Sequence, residues 1–93
     1  MYSMEPRLAS WMTPVDRDVL ELLQNPDGRE LVLTPALIAE NIDWGRGTVR
    51  QHLMELRRHG LVEYHDEDRS IYRLSERGRH YLSGELDPAE LEN

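Results

Sequence analysis

Apolar residues fall at Val15, Val19, Leu22 and Leu23, the i, i+4, i+7, i+8 spacing that lays one stripe of an α-helix against a core. Thr13-Pro14-Val15-Asp16 supplies its start: a hydroxyl at the cap, a proline where no amide hydrogen is needed, and an acid three residues after the cap. The turn cluster Asn25-Pro26-Asp27-Gly28 ends it. Leu31-Val32-Leu33 predicts a strand of two or three residues, and Thr34-Pro35 repeats the start signal for a short second helix over about 35–40, with Leu33 and Ile38 spaced as a hydrophobic staple. Asn41-Ile42-Asp43-Trp44-Gly45 turns the chain into a third helix over about 46–59, whose apolar positions are Val49, Leu53 and Leu56. Gly60, at a left-handed cap position, and Leu61 close that helix.

The period then changes from helical to strand-like. Positions 61–65 and 70–74 are rich in β-branched and aromatic residues and flank the polar tip Asp66-Glu67-Asp68-Arg69, which predicts a hairpin. Ser75 caps a last short helix through Leu82, and Asp87-Pro88-Ala89-Glu90 repeats the cap-proline-acid start for a terminal turn carrying Leu91. The predicted organisation is an N-terminal arm (1–12), one domain (13–82) and an acidic C-terminal tail (83–93). Its fold class is mainly α with a small β-hairpin: a three-helix core containing a helix-turn-helix, then two strands and a C-terminal helix.

Ninety-three residues suffice for one modest core and exclude a second domain. The longest uncharged apolar-leaning stretch, 31–39, is nine residues, against about 20 for a membrane span, and no secretory signal precedes the first helix. The absence of cysteine removes disulfides, thiolate catalysis and cysteine-based zinc sites, and a cytoplasmic address is expected. All 11 basic residues are Arg, against 18 acids, for a net charge of −7. Two explanations fit this usage: life in concentrated salt, which screens the repulsion, or an ordinary acidic domain from a GC-rich genome.

The charge is unevenly placed. Positions 44–60 hold four Arg and one Glu, a local +3 in a chain whose remainder sums to −10. Advancing about 100° per residue puts Gly47, Thr48, Gln51, Glu55 and Arg58 opposite the apolar stripe of the third helix, with Arg46, Arg50 and Arg57 on one shoulder. Arg pairs with guanine O6 and N7 and Gln with adenine N6 and N7, so Arg50 and Gln51 are the candidates for reading bases. Arg46 and Thr48, at a helix start with free amides, suit phosphate anchoring; Gly45 and Gly47 allow close approach, and Arg57 and Arg58 extend the basic surface. At the hairpin tip three acids repel phosphate and leave Arg69, and further along Arg73, as the contacts to expect. His52 and His59 lie two turns, roughly 10 Å, apart, too far to share one metal ion, and read as surface or core-edge residues. No catalytic triad, phosphate-binding glycine loop or carboxylate pair stands out, so neither enzyme, metal nor cofactor is expected.

The order of elements, with Gly47-Thr48-Val49-Arg50-Gln51-His52-Leu53, Leu56 and His59-Gly60-Leu61-Val62-Glu63, resembles the winged helix-turn-helix transcription regulators over about 13–82. More narrowly, Trp11-Met12-Thr13-Pro14 with Asp16, Trp44-Gly45-Arg46-Gly47, and the segment from Leu74-Ser75-Glu76-Arg77-Gly78 to Asp87 are similar to the small repressor-like winged-helix proteins of haloarchaea and their phages. The resemblance implies a halophilic DNA-binding regulator of repressor type whose partner is double-stranded DNA, and it accounts for the Lys-free acidic composition. A homodimer is expected, because one short helix reads few base pairs, with the arm (Leu8, Trp11, Met12) and the tail (Leu82, Leu86, Leu91) as its apolar surface; the same residues could instead cover the core of one subunit. A second reading, favoured by the net charge, is a winged-helix protein-interaction module without significant DNA affinity.

Overall fold

Proline opens three of the helical segments, because its ring fixes a helical φ and its missing amide hydrogen has no acceptor in a first turn. In the computed structural model, which describes residues 8–25 and 29–92, α1 spans Pro14–Gln24, α2 Pro35–Asn41 and α3 Arg46–Arg58. They are followed by β1 (Val62–Asp66), β2 (Ile71–Leu74), α4 (Glu76–Leu82) and a 3₁₀ turn, Pro88–Leu91. Positions 1–7 of the arm and 26–28 of the first turn lie outside the described residues. This is a winged helix: a mainly helical domain with one antiparallel hairpin, in which Val62 pairs with Leu74 and Tyr64 with Tyr72, and a bulge falls between Tyr64 and Asp66.

The expected caps operate. Thr34 Oγ1 accepts from the Leu37 amide, Ser75 Oγ from Gly78 and the Asp87 carboxylate from Ala89. The third helix ends one residue before its expected limit, with His59 as its cap residue; Gly60, at φ 77°, takes the left-handed position, and the Leu61 amide returns to the Leu56 carbonyl at 3.0 Å. Positions 31–33 yield less strand than expected. Only Leu33 pairs, exchanging backbone bonds of 3.0 and 2.8 Å with Tyr72, since the next residue must leave the sheet to cap α2.

The core joins Val19, Leu20 and Leu23 of α1 to Ile38 of α2, Val49, Leu53 and Leu56 of α3, Leu61, Leu74 of β2 and Tyr81 of α4, all essentially inaccessible. Burial raises the pKa of the Tyr81 hydroxyl above its ordinary value. The apolar residues of arm and tail, expected to form a subunit interface, belong to this core: Ala9, Met12 and Leu91 are buried, and Leu8, Trp11, Leu82 and Leu86 pack against it. Trp11 stacks on His59 with ring centroids 3.9 Å apart and donates from Nε1 to the Leu91 carbonyl. The Ser10 hydroxyl and amide both donate to Glu92, which holds that carboxyl below the usual range, and Arg77 donates to the carbonyls of His59 and Glu90. Trp11→Ala should therefore lower stability by about 2 kcal/mol, less than a fully buried tryptophan would cost, and leave the mass of the free protein unchanged. Thermal melting with light scattering checks this; a changed mass at an unchanged melting temperature would return Trp11 to a subunit interface.

Candidate nucleic-acid interface

Helix α3 must bury one face and present the other in a fixed orientation. Val49, Leu53 and Leu56 are inaccessible, and two polar links tie α3 and the turn before it to α1. Trp44, in that turn, donates from Nε1 to Asp18 Oδ2 at 2.9 Å. Further along, His52 Nδ1 lies 3.0 Å from Oδ1 of the fully buried Asp16, and since a carboxylate only accepts, the ring donates from that nitrogen. The other oxygen, Oδ2, accepts from the amide and hydroxyl of Thr13 at 2.8 and 3.1 Å, so one carboxylate both starts α1 and holds α3. The sequence identified Asp16 only as the acid of a helix start and left His52 at the core edge; the contact between them is a tertiary one that no local spacing signals.

The outward face carries the expected residues. Arg46, Thr48, Arg50 and Gln51 are exposed, and among the described residues none of their side chains takes part in a hydrogen bond or ion pair. A side chain added at Gly45 or Gly47 would meet no atom within 4 Å. Nothing inside the fold requires glycine at either place, and the first-turn amides of α3 are open to an approaching ligand. Met54, 63% exposed, stands in the same polar surface and was not singled out from the sequence.

The remaining basic residues are divided. Arg58 contacts Glu55 at 3.2 Å, an exposed pair one helical turn apart. In the hairpin, Arg69 Nε donates to Asp66 Oδ2 and Arg73 Nε to Glu63 Oε2, both at 2.7 Å. The Arg69 bonds draw the Asp66 pKa below the ordinary carboxylate value. The wing thus largely neutralises its own arginines, although exposed pairs of this kind contribute little and exchange readily. Arg57 lies with its guanidinium 4.6 Å from the Tyr64 ring centroid. Tyr64 and Tyr72 face each other across the hairpin, ring centroids 4.8 Å apart, and Tyr72 donates its hydroxyl to Tyr64 at 3.3 Å. Between this pair and α3 runs a cleft of about 590 Å³ bordered by Arg50, Arg57 and Arg58. As a sequence the two tyrosines are good strand formers and nothing more; only the hairpin register turns them toward one another.

A helix-turn-helix with an exposed, basic second helix and a hairpin beside it defines the winged-helix class of DNA-binding regulators. A family model described as winged helix-turn-helix phage repressor matches residues 4–93, and the chain belongs to that family. It is 34% identical over 87 residues to the repressor protein of Halobacterium phage phiH, covering 92% of this chain and 96% of the relative. No solved structure matches. The halophage relative agrees with the Lys-free acidic composition, and the family marks a regulator rather than an enzyme. Among the described residues no helix is long and apolar enough to cross a membrane, and no group of three potential ligands could hold a metal ion.

Proposed function

We propose that this protein is a sequence-specific transcriptional repressor of the cytoplasm that binds double-stranded DNA as a homodimer, inserting α3 into the major groove of each half-site. The observation that carries the reading is the unpaired state of Arg46, Thr48, Arg50 and Gln51 in a segment, 44–60, that holds four Arg against one Glu, on a helix held to α1 by Asp16 and Trp44. Arg50 and Gln51 read base edges; Arg46 and Thr48, at the open N-terminus of α3, hold phosphates, with Arg57 and Arg58 behind them. Arg69 joins only by exchanging Asp66 for a phosphate. The name of the phage phiH relative, a repressor, supports the same assignment. Because the arm and tail serve the core of their own subunit, the two-fold contact uses other surfaces or forms on DNA.

Selection from random-sequence duplexes in concentrated KCl should enrich a short inverted repeat. Arg50→Ala or Gln51→Ala should relax preference at one position per half-site and cost about 1–3 kcal/mol each. An enriched pool with no shared sequence would instead favour a protein-interaction module, and variants that select the parental site would displace the base-reading role from these two residues.

A further inference from the structure

The cleft between α3 and the hairpin is lined by donors that lack acceptors. Among the described residues the guanidinium groups of Arg50 and Arg57 make no hydrogen bond or ion pair, and the Tyr64 hydroxyl accepts from Tyr72 without donating onward. The single acid on the rim, Glu55, already contacts Arg58 at 3.2 Å and His59 at 3.9 Å. Because Tyr72 donates its hydroxyl to Tyr64, the Tyr64 O–H is left to point at an outside acceptor. Stacking on the Tyr64 ring fixes Arg57, which lowers the entropy lost when its N–H groups engage a ligand. Such a site suits a group that only accepts and carries negative charge. In a chain of net charge −7, few other surfaces would attract one.

We infer that this cleft seats a phosphodiester of the DNA strand flanking the bases that α3 reads, with Arg57 and the Tyr64 hydroxyl as its ligands. The inference rests on the DNA-binding reading above. The cleft opens along the same shoulder of α3 that carries Arg50, so a strand leaving the base-reading surface toward the wing passes over it. Affinity for the backbone then comes from the seam between helix and wing, and the acidic wing tip need not enter a groove.

The test is a double cycle between protein and backbone. Parent protein, Tyr64→Phe and Arg57→Ala are titrated onto the selected duplex with one phosphate at a time replaced by a neutral methylphosphonate. Tyr64→Phe keeps the ring under Arg57, and its melting temperature verifies an intact fold. Each variant is expected to bind the unmodified duplex about tenfold more weakly. Arg57→Ala should also flatten the slope of log affinity against log salt by about 0.9 per subunit. At one phosphate per half-site, neutralisation should weaken the parent by a similar factor and add almost nothing to either variant. Penalties that multiply at every phosphate would overturn the assignment. So would stabilisation by inorganic phosphate that is lost in Arg57→Ala while the DNA penalties still multiply, since the occupant would then be a free anion. A parent that binds no duplex at all would instead remove the functional reading on which the assignment stands.

Discussion

Gly78→Ala is expected to remove more than half of the protein's stability, although alanine is the better helix former by about 1 kcal/mol. Gly78 is buried at the third position of α4, where its amide donates to the Ser75 hydroxyl at 2.9 Å. A Cβ there would lie 2.2 Å from the Leu61 carbonyl oxygen and 2.6 Å from Leu74 Cδ1. The first of these contacts is with backbone and cannot be relieved by a rotamer change. The Leu61 carbonyl is also fixed from the other side, because it accepts from the Ser75 amide at 3.1 Å. Relief requires lifting α4 off the segment that follows α3, which exposes Leu61, Leu74 and Tyr81, all buried. Overpacking of this kind costs about 3 kcal/mol or more. That is a large share of the stability of so small a domain, whose total is on the order of 5 kcal/mol. Urea unfolding followed by circular dichroism decides the sign: a midpoint above the parent's would mean that helix propensity governs the site and that α4 does not rest on the Leu61 backbone.

That prediction also marks where the sequence stops being informative. Helix starts were legible because their signals are local: Thr13, Thr34, Ser75 and Asp87 each precede their own helix and need no partner from elsewhere in the chain. The apolar stripe of α3 was legible for the same reason, and with it the outward placement of Arg46, Thr48, Arg50 and Gln51. Gly78 carried no such mark. Its significance is the proximity of another backbone segment 17 residues away in the chain, from Leu61 to Gly78, and a glycine in a short helix reads only as weak propensity. The same limit hid the cleft, since Tyr64 and Arg57 meet through the placement of the hairpin against α3. It also left the arm and tail open between a subunit interface and the core of one subunit, since the contacts of Trp11 with His59 and the Leu91 carbonyl exist only in three dimensions.

Asp16→Ala should cost about 2–4 kcal/mol, more than any substitution on the exposed face of α3. The carboxylate performs two jobs at once, and alanine ends both. Loss of its bonds to Thr13 removes the reciprocal part of the α1 start, worth about 1 kcal/mol. Loss of its bond to His52 leaves a half-buried ring nitrogen without its acceptor and a small void beside a packed helix. His52→Ala strands the carboxylate in turn, fully buried and deprived of one of its three donors, so it too should destabilise, but by less, because the Thr13 bonds survive. The double variant should then be more stable than the sum of the single losses predicts, by at least about 0.5 kcal/mol, as expected of two groups in direct contact. Denaturant midpoints for the four proteins supply the cycle, and additivity within error would show that the 3.0 Å contact carries no coupling. The functional consequence separates this pair from an ordinary cap. His52 projects from the same helix as Gln51 and Arg50, and its bond to Asp16 helps fix the rotation of α3 about its own axis. At temperatures where the variants remain folded, His52→Ala should therefore reduce discrimination between the selected site and random duplex while changing affinity for random duplex little. A uniform loss on both DNAs would mean that Asp16 and His52 stabilise the fold without orienting the reading face.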